Sequence, residues 1–235
     1  MQRQQEEMDL RINTAKTKVM TMGKEKAEEN IKLNTTEIEN VLEFVYLGSL
    51  LTWDNNCNKE IRRRIAKATG VMGGFNTIWN SKAIRVQVKL NILKACVFST
   101  VLYAAETWTL KKEDKDRLLS FEIRCYRRIL RIRWQQKITN IEVRRRMKTT
   151  SNIVQEVVKR KMNMFGHICR MPQGRLVKKV MLGTMDGNNR RGRPKREWLQ
   201  DIEEWSGLDL PTLTREAQDR LRWKNIVKHA VDTNG

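Results

Sequence analysis

Residues 43–79, EFVYLGSLLTWDNNCNKEIRRRIAKATGVMGGFNTIW, hold the change of period that decides the fold. Phe44, Tyr46 and Leu50 fall on alternate positions or multiples of them, and the aromatic and β-branched content predicts a strand turning at Gly48. After the polar break at 54–58 the period becomes helical: Ile61, Ile65, Ala68, Met72, Phe75 and Trp79 recur at steps of four and three. That spacing places all six on one stripe and turns Arg62, Arg63, Arg64 and Lys67 elsewhere. Asn56 or Asn58 is the expected cap, since a short amide accepts from the unpaired N–H groups of a first turn. Gly73-Gly74 predicts a kink or an early stop, because glycine weakens a helix interior.

Outward from this stretch the same helical period dominates. A helix is expected over about 84–104 with Ser81 as its cap, apolar nearly all round. A second runs from Asp114 to Ile132, with Leu118, Phe121, Cys125, Ile129 and Ile132 inward and Arg124, Arg127, Arg128 and Arg131 largely outward, beside Tyr126 and Trp134. A short helix through 141–147 carries Arg144, Arg145 and Arg146. Another, capped by Ser151, reaches Phe165 with Val154, Val157, Val158, the Lys161 stem and Met162 at helical spacing. GHICRM (166–171) follows, with His167 expected in a turn after Gly166. Upstream, Lys18–Met22, Ile31–Leu33 and Glu37–Val41 suggest short strands, so 18–51 reads as one small antiparallel sheet. The expected fold class is α+β, mainly α: a small antiparallel sheet, a helical body and a short helical tail. In that tail Trp198, Ile202 and Trp205 share a stripe, and Pro211 starts a helix through Leu213, Ala217 and Leu221.

Charge points to the partner. The chain of 235 residues carries a formal +20, and residues 124–196 hold 22 Lys and Arg against three acids, leaving the other 162 residues at +1. A single-sign stretch of that size repels itself unless a polyanion meets it, which favours nucleic acid (RNA, RNA–DNA hybrid or DNA). Membrane binding is disfavoured: no apolar run approaches the ~20 residues of a span, and no amphipathic stretch joins a basic face to a strongly apolar one. The four cysteines include no C-x-x-C pair and read as thiols in a reducing, intracellular compartment, nuclear or cytoplasmic. His167 and Cys169 alone cannot complete a four-ligand zinc site, so no metal and no cofactor is expected. Residues 183–196 form a basic linker with Arg190, Arg191 and Arg193. Its Arg-Gly-Arg-Pro core admits three readings: an AT-hook-like turn in a minor groove, a turn that binds phosphate, or a plain linker.

FVYLGSLL with EIRRRIAKA, together with LRINTAKTKVM (10–20), VLYAAETW (101–108), GHICRM and RRGRPKREWLQDI (190–202), resembles in order the C-terminal part of reverse transcriptases of LINE-type (non-LTR) retrotransposons. The likeness spans nearly the whole chain and departs from the family pattern at Asp9 and Ala105, where glycine is expected. It implies a palm remnant with a primer-grip-like hairpin at 1–56, a helical thumb and connector at 57–182, the linker at 183–196 and a helical tail at 197–235. It places Tyr46 and Gly48 near a primer strand and Lys16 near primer–template or nucleotide phosphates.

The family's polymerase chemistry uses an Asp-Asp pair to hold metal ions, and this sequence contains no Asp-Asp anywhere. No Ser/His/Asp or Cys/His nucleophile set replaces it, so no catalytic residue is expected. The chain reads as a nucleic-acid-binding fragment that grips RNA template–primer or RNA–DNA hybrid by phosphate contacts. A palm and fingers domain supplied by another chain is a further candidate partner. Two alternatives stand beside this: an architectural DNA-binding module working through Arg191 and Arg193, and an inert fragment of a decayed element.

Overall fold

The computed structural model describes residues 12–13, 15–22, 31–33, 36–183 and 197–234. The fold is α+β and mainly helical. It divides into two compact units, Met1–Glu60 and Ile61–Gly235.

Among its described residues the first unit holds two separate two-stranded antiparallel sheets, not one. Strands β1 (Lys32–Leu33) and β2 (Thr36–Glu37) pair with each other; β3 (Glu43–Tyr46) pairs with β4 (Ser49–Thr52). The strand expected at 18–22 contributes only a parallel bridge, Val19 to Asn40. The β3–β4 turn is tight: Leu47 and Gly48 both have positive φ, 47° and 82°, the pattern of a type I′ turn that matches strand twist. The buried Glu60 carboxylate accepts from Leu50 N–H (3.0 Å) and Ser49 Oγ (3.3 Å), tying β4 to the start of the first long helix. The alternation in β3 does not translate into an inward face. All four of its residues are exposed, whereas its partner β4 half-buries Ser49 and Leu50 and buries Thr52.

Helix α1 (Asn58–Gly74) carries the expected stripe: Ile61, Ile65, Ala68 and Met72 are buried. Asn56 Oδ1 accepts from Asn58 N–H at its head, and the helix stops at the glycine pair. A short α2 (Asn76–Asn80) follows, where Trp79 is fully buried and donates its indole N–H to Met72 O at 2.8 Å. Arg64 departs from the outward set. It is buried, with its guanidinium 4.3 Å from the Tyr103 ring, because a planar cation stacks where an ammonium would not.

The helix expected from 84 begins later, as α3 (Val86–Ile92), widens into a π-helical segment (Leu93–Phe98) and closes as α4 (Ser99–Val101). Ser81 does not cap it. Its carbonyl and that of Trp79 instead accept from buried Lys89 Nζ, at 2.6 and 2.8 Å. Helices α5 (Lys112–Leu130), α6 (Asn140–Met147) and α7 (Ile153–Cys169) come next, then α8 (Leu176–Leu182). Asn152, not Ser151, caps α7, in a capping box with Gln155. After residue 197 the chain forms α9 (Trp198–Ser206), α10 (Leu210–Glu216) and α11 (Arg220–Thr233). The helix expected from Pro211 through Leu221 is thus two helices. Asp219 breaks it by accepting from Leu221 and Arg222 N–H, which caps a new start.

Helix α7 is the axis of the second unit. Val157, Val158, Met162, Phe165, Ile168 and Cys169 are all buried, and so, wholly, is Lys161. Lys161 Nζ donates to Asp201 Oδ2 at 2.5 Å and to Trp108 O at 2.9 Å, with the Trp198 and Trp205 rings 4.8 and 5.2 Å away. Asp201 accepts as well from Leu110 N–H at 3.1 Å. A lone buried charge would cost several kcal/mol, and removing either partner of such a pair is the costly event. One polar cluster therefore locks α7, α9 and the 108–110 strand-like stretch together. Two sequence motifs find their reason here: ETW supplies the carbonyl and EWLQDIEEW the carboxylate and the rings.

Gly166 and His167 lie inside α7, not in a turn. Gly166 is a close-approach site: a Cβ there would meet Trp223 Nε1 of α11 at 2.2 Å. The Trp223 indole N–H donates to Met162 O at 3.1 Å across the same contact. Burial pushes the Cys125 thiol up to about 12 and that of Cys169 up to about 11, so both remain protonated packing groups at neutral pH.

Candidate nucleic-acid interface

Helices α7 and α11 run antiparallel. Gln155 reaches Val231 O, Gly166 meets Trp223, and Arg170 Nη1 donates to Ala217 O at 2.7 Å, so rising numbers on one match falling numbers on the other. Between their outer edges lies a groove of about 600 Å³, lined by Lys159, Asn163 and Arg170 on one side and Arg220, Lys224 and Lys228 on the other. A second groove of about 440 Å³ continues it past His167, Met171, Pro172 and Arg175, with Arg170 and Arg220 shared. Among the described residues no carboxylate lines either groove.

The local reasons for this arrangement are helical spacing and capping. Arg220, Lys224 and Lys228 recur every four residues, which stacks them on one face about 6 Å apart along the axis. Like charges at that spacing repel by a few tenths of a kcal/mol per pair. They form no ion pair among the described residues, nor do Lys159 and Arg175. The end of α7 is held by one cation and one amide: Lys178 Nζ donates to Cys169 O (2.8 Å) and Met171 O (2.9 Å), and Gln218 Nε2 to Cys169 O (3.0 Å). Those bonds fix the chain carrying Arg170 and Arg175.

The arginines singled out from the sequence divide into two kinds. Arg124 and Arg128 lie exposed on α5 and line a shallow groove with Thr69, Met72 and Phe121; Arg128 also bonds Asn76. Arg131 is exposed and ends α5 with φ 56°. Arg127 and Arg144 are engaged inside the protein. Arg127 Nη2 donates to Ile138 O (2.6 Å) and Asn140 Oδ1 (3.0 Å), pinning the start of α6. Arg144 Nη2 donates to buried Glu122 Oε2 at 3.1 Å. Glu122 Oε1 accepts from Tyr126 OH (3.1 Å) and Ile153 N–H (2.9 Å), so one carboxylate joins α5, α6 and α7. Burial raises the Glu122 carboxyl above the usual carboxylate range, and the Arg144, Tyr126 and Ile153 donors pull against it. Arg145 and Arg146 are exposed and both pair with Glu142, which their hydrogen bonds hold down at about 2.

Lys16, Tyr46 and Gly48 belong to the first unit. Lys16 is exposed in a turn closed by Asn13, and Tyr46 is exposed beside the Leu47–Gly48 turn. Arg190, Arg191 and Arg193 lie outside the described residues. Sequence reasoning missed the groove because its two walls are some 60 positions apart and α11 sits in a stretch with more acids than bases. The four-residue repeat of Arg220, Lys224 and Lys228 was the available signal. It missed Glu122, Lys161 and Asp201 as partners, for which only Lys161 on an apolar stripe gave a sign.

No helix among the described residues is long and apolar enough to cross a membrane. No family model matches the chain, and no solved structure does. Over 236 residues, covering 94% of this chain and 84% of the relative, it is 25% identical to a Caenorhabditis elegans protein named "putative uncharacterized transposon-derived protein".

Proposed function

We propose that this chain is a nucleic-acid-binding piece of transposable-element origin, corresponding to the end of the palm, the thumb and the connector of a LINE-type reverse transcriptase. It holds an RNA template–primer or RNA–DNA hybrid by its phosphates and carries no polymerase carboxylates of its own. The observation that carries the binding role is the α7–α11 groove, with cations on both walls and no carboxylate among its lining residues. The spacing of about 6 Å between successive α11 cations approximates the step between phosphates of one strand. Likeness to a transposon-derived protein over nearly the whole chain and the ordered motifs support the origin. In this reading the exposed arginines Arg124, Arg128 and Arg131 extend the contact, while Tyr46 and Gly48 form the hairpin nearest a primer.

The test is equilibrium binding of the purified chain to a hybrid duplex across a salt series. Contact with five to eight phosphates gives a log–log slope of about −4 to −7. Changing Lys159, Lys224 and Lys228 together to glutamine keeps three long side chains, leaves the core untouched and flattens the slope by up to about 2.7. Absence of binding at low salt sinks the reading. A slope unchanged in the triple variant removes the groove from it.

A further inference from the structure

The seven tryptophans differ in one respect: Trp134 is 82% exposed, while Trp79, Trp108, Trp205 and Trp223 are buried and Trp53 and Trp198 are half-buried. A single exposed apolar side chain is ordinary, so its setting has to decide. Trp134 opens a one-turn 3-10 helix, Trp134–Gln136, in the loop between α5 and α6. The loop is held at both ends and within. Ile132 N–H donates to Arg127 O at 2.9 Å, Arg127 Nη2 donates to Ile138 O, and Arg133 N–H donates to Gln136 Oε1 at 3.0 Å. Lys137 N–H donates to Trp134 O at 3.2 Å, closing the turn that begins at Trp134. The ring therefore sits on a braced loop, with its indole N–H making no hydrogen bond among the described residues. Arg131, Arg133 and Lys137 surround it in sequence, all exposed, and no acid lies between Glu122 and Glu142.

A rigid, solvent-facing π surface framed by cations is the arrangement that stacks an unpaired base while its neighbours meet the adjoining phosphates. A duplex offers phosphates to such a loop but keeps its base faces stacked inside. We propose that Trp134 is a base-stacking residue for single-stranded nucleic acid, giving the chain a preference for unpaired strand at the tip of the α5–α6 loop. This deepens the nucleic-acid reading and rests on it.

Intrinsic tryptophan fluorescence and anisotropy test it with a labelled 20-nucleotide single-stranded RNA and a duplex DNA of equal length. Single strand should quench the exposed component of the emission, and duplex should leave it. Trp134→Ala should weaken single-strand binding by about 5- to 150-fold and duplex binding little, while Trp134→Phe keeps most of the single-strand affinity. Both variants should unfold at the wild-type temperature, since the ring buries little. Equal affinity of Trp134→Ala and wild type for single strand, or an equal loss on both nucleic acids, overturns the stacking role and leaves the groove reading standing. Quenching by polyglutamate but not by RNA assigns the loop to an acidic protein and overturns it too. Failure of the wild-type chain to bind either nucleic acid removes the general reading and this inference together.

Discussion

The arginines of α5 and α6 and the cations of the α7–α11 groove carry the same charge and do different work. Arg127 and Arg144 are engaged by a carbonyl, an amide and a buried carboxylate, and Arg145 and Arg146 by Glu142. Lys159, Lys224 and Lys228 have no ion pair among the described residues. Counting charge along the chain favours the first region and the α7 wall of the groove over its α11 wall, because 124–196 holds nearly the whole surplus. The fold reverses part of that ranking. A charge that already satisfies the protein is costly to divert to a ligand, whereas a row of unpaired like charges gains from any polyanion.

The sharpest way to break this contrast uses two lysines two residues apart on α7. Lys161→Ala leaves Asp201 buried without its cation and should cost about 3–5 kcal/mol. Lys159→Gln, on the exposed face, should leave the unfolding midpoint in place and flatten the duplex salt slope by up to about 0.9. Urea titrations and binding isotherms on the two proteins give the answer. Similar stability of the two variants would show that Lys161 is not a buried structural cation.

These two lysines also mark what the sequence could and could not disclose. The stripes of α1, α5 and α7 were legible because burial follows the helical period, and Gly48 announced the hairpin turn. Lys161 fell on a core stripe, yet Lys159-Arg160-Lys161 looks like a surface run until Asp201, 40 positions later, is brought to it. Glu122 and Arg144 pair across 22 positions for the same reason. The α11 wall of the groove was invisible to a charge count: α11 sits in a stretch richer in acids, and only packing against Gly166 brings its cations opposite Lys159 and Arg170. The exposure of β3 could not be read from its alternation, which records which residues share a face and not whether anything covers it.

A middle-sized effect is expected at the Glu122 cluster, where stability and pH are linked. Arg144→Ala removes one donor from a buried carboxylate that retains Tyr126 and Ile153, for a loss of about 1–3 kcal/mol near neutral pH. The sign of its pH dependence follows from the raised carboxyl. A carboxyl raised in the folded state contributes its stability below the unfolded value and loses it as pH rises through the folded value. Removing Arg144 takes away two influences that lower it, so the folded value climbs further. The deficit of the variant should therefore be largest near pH 7 and shrink on acidification, as the carboxyl takes up a proton. A deficit that grows on acidification would mean that Glu122 is held ionised by something other than Arg144.

The smallest effects should separate neighbours on α5. Arg127 lies half-buried with two acceptors at the start of α6, whereas Arg124 is exposed and its guanidinium lies 5.9 Å from the Phe121 ring. Arg127→Gln should cost about 1 kcal/mol by loosening the 138–140 turn, with little change in salt slope because that charge faces protein. Arg124→Gln should do the converse: stability within about 0.5 kcal/mol of wild type, and a duplex slope flatter by up to about 0.9 if a phosphate meets it. The pair is informative because both substitutions remove one positive charge from one helix, so net charge predicts equal binding losses. Equal slopes with unequal stabilities would confine phosphate contact to the groove. Equal slope changes in both would mean that Arg127 leaves its carbonyl when nucleic acid binds, and that engagement inside the protein does not withhold a charge from the ligand.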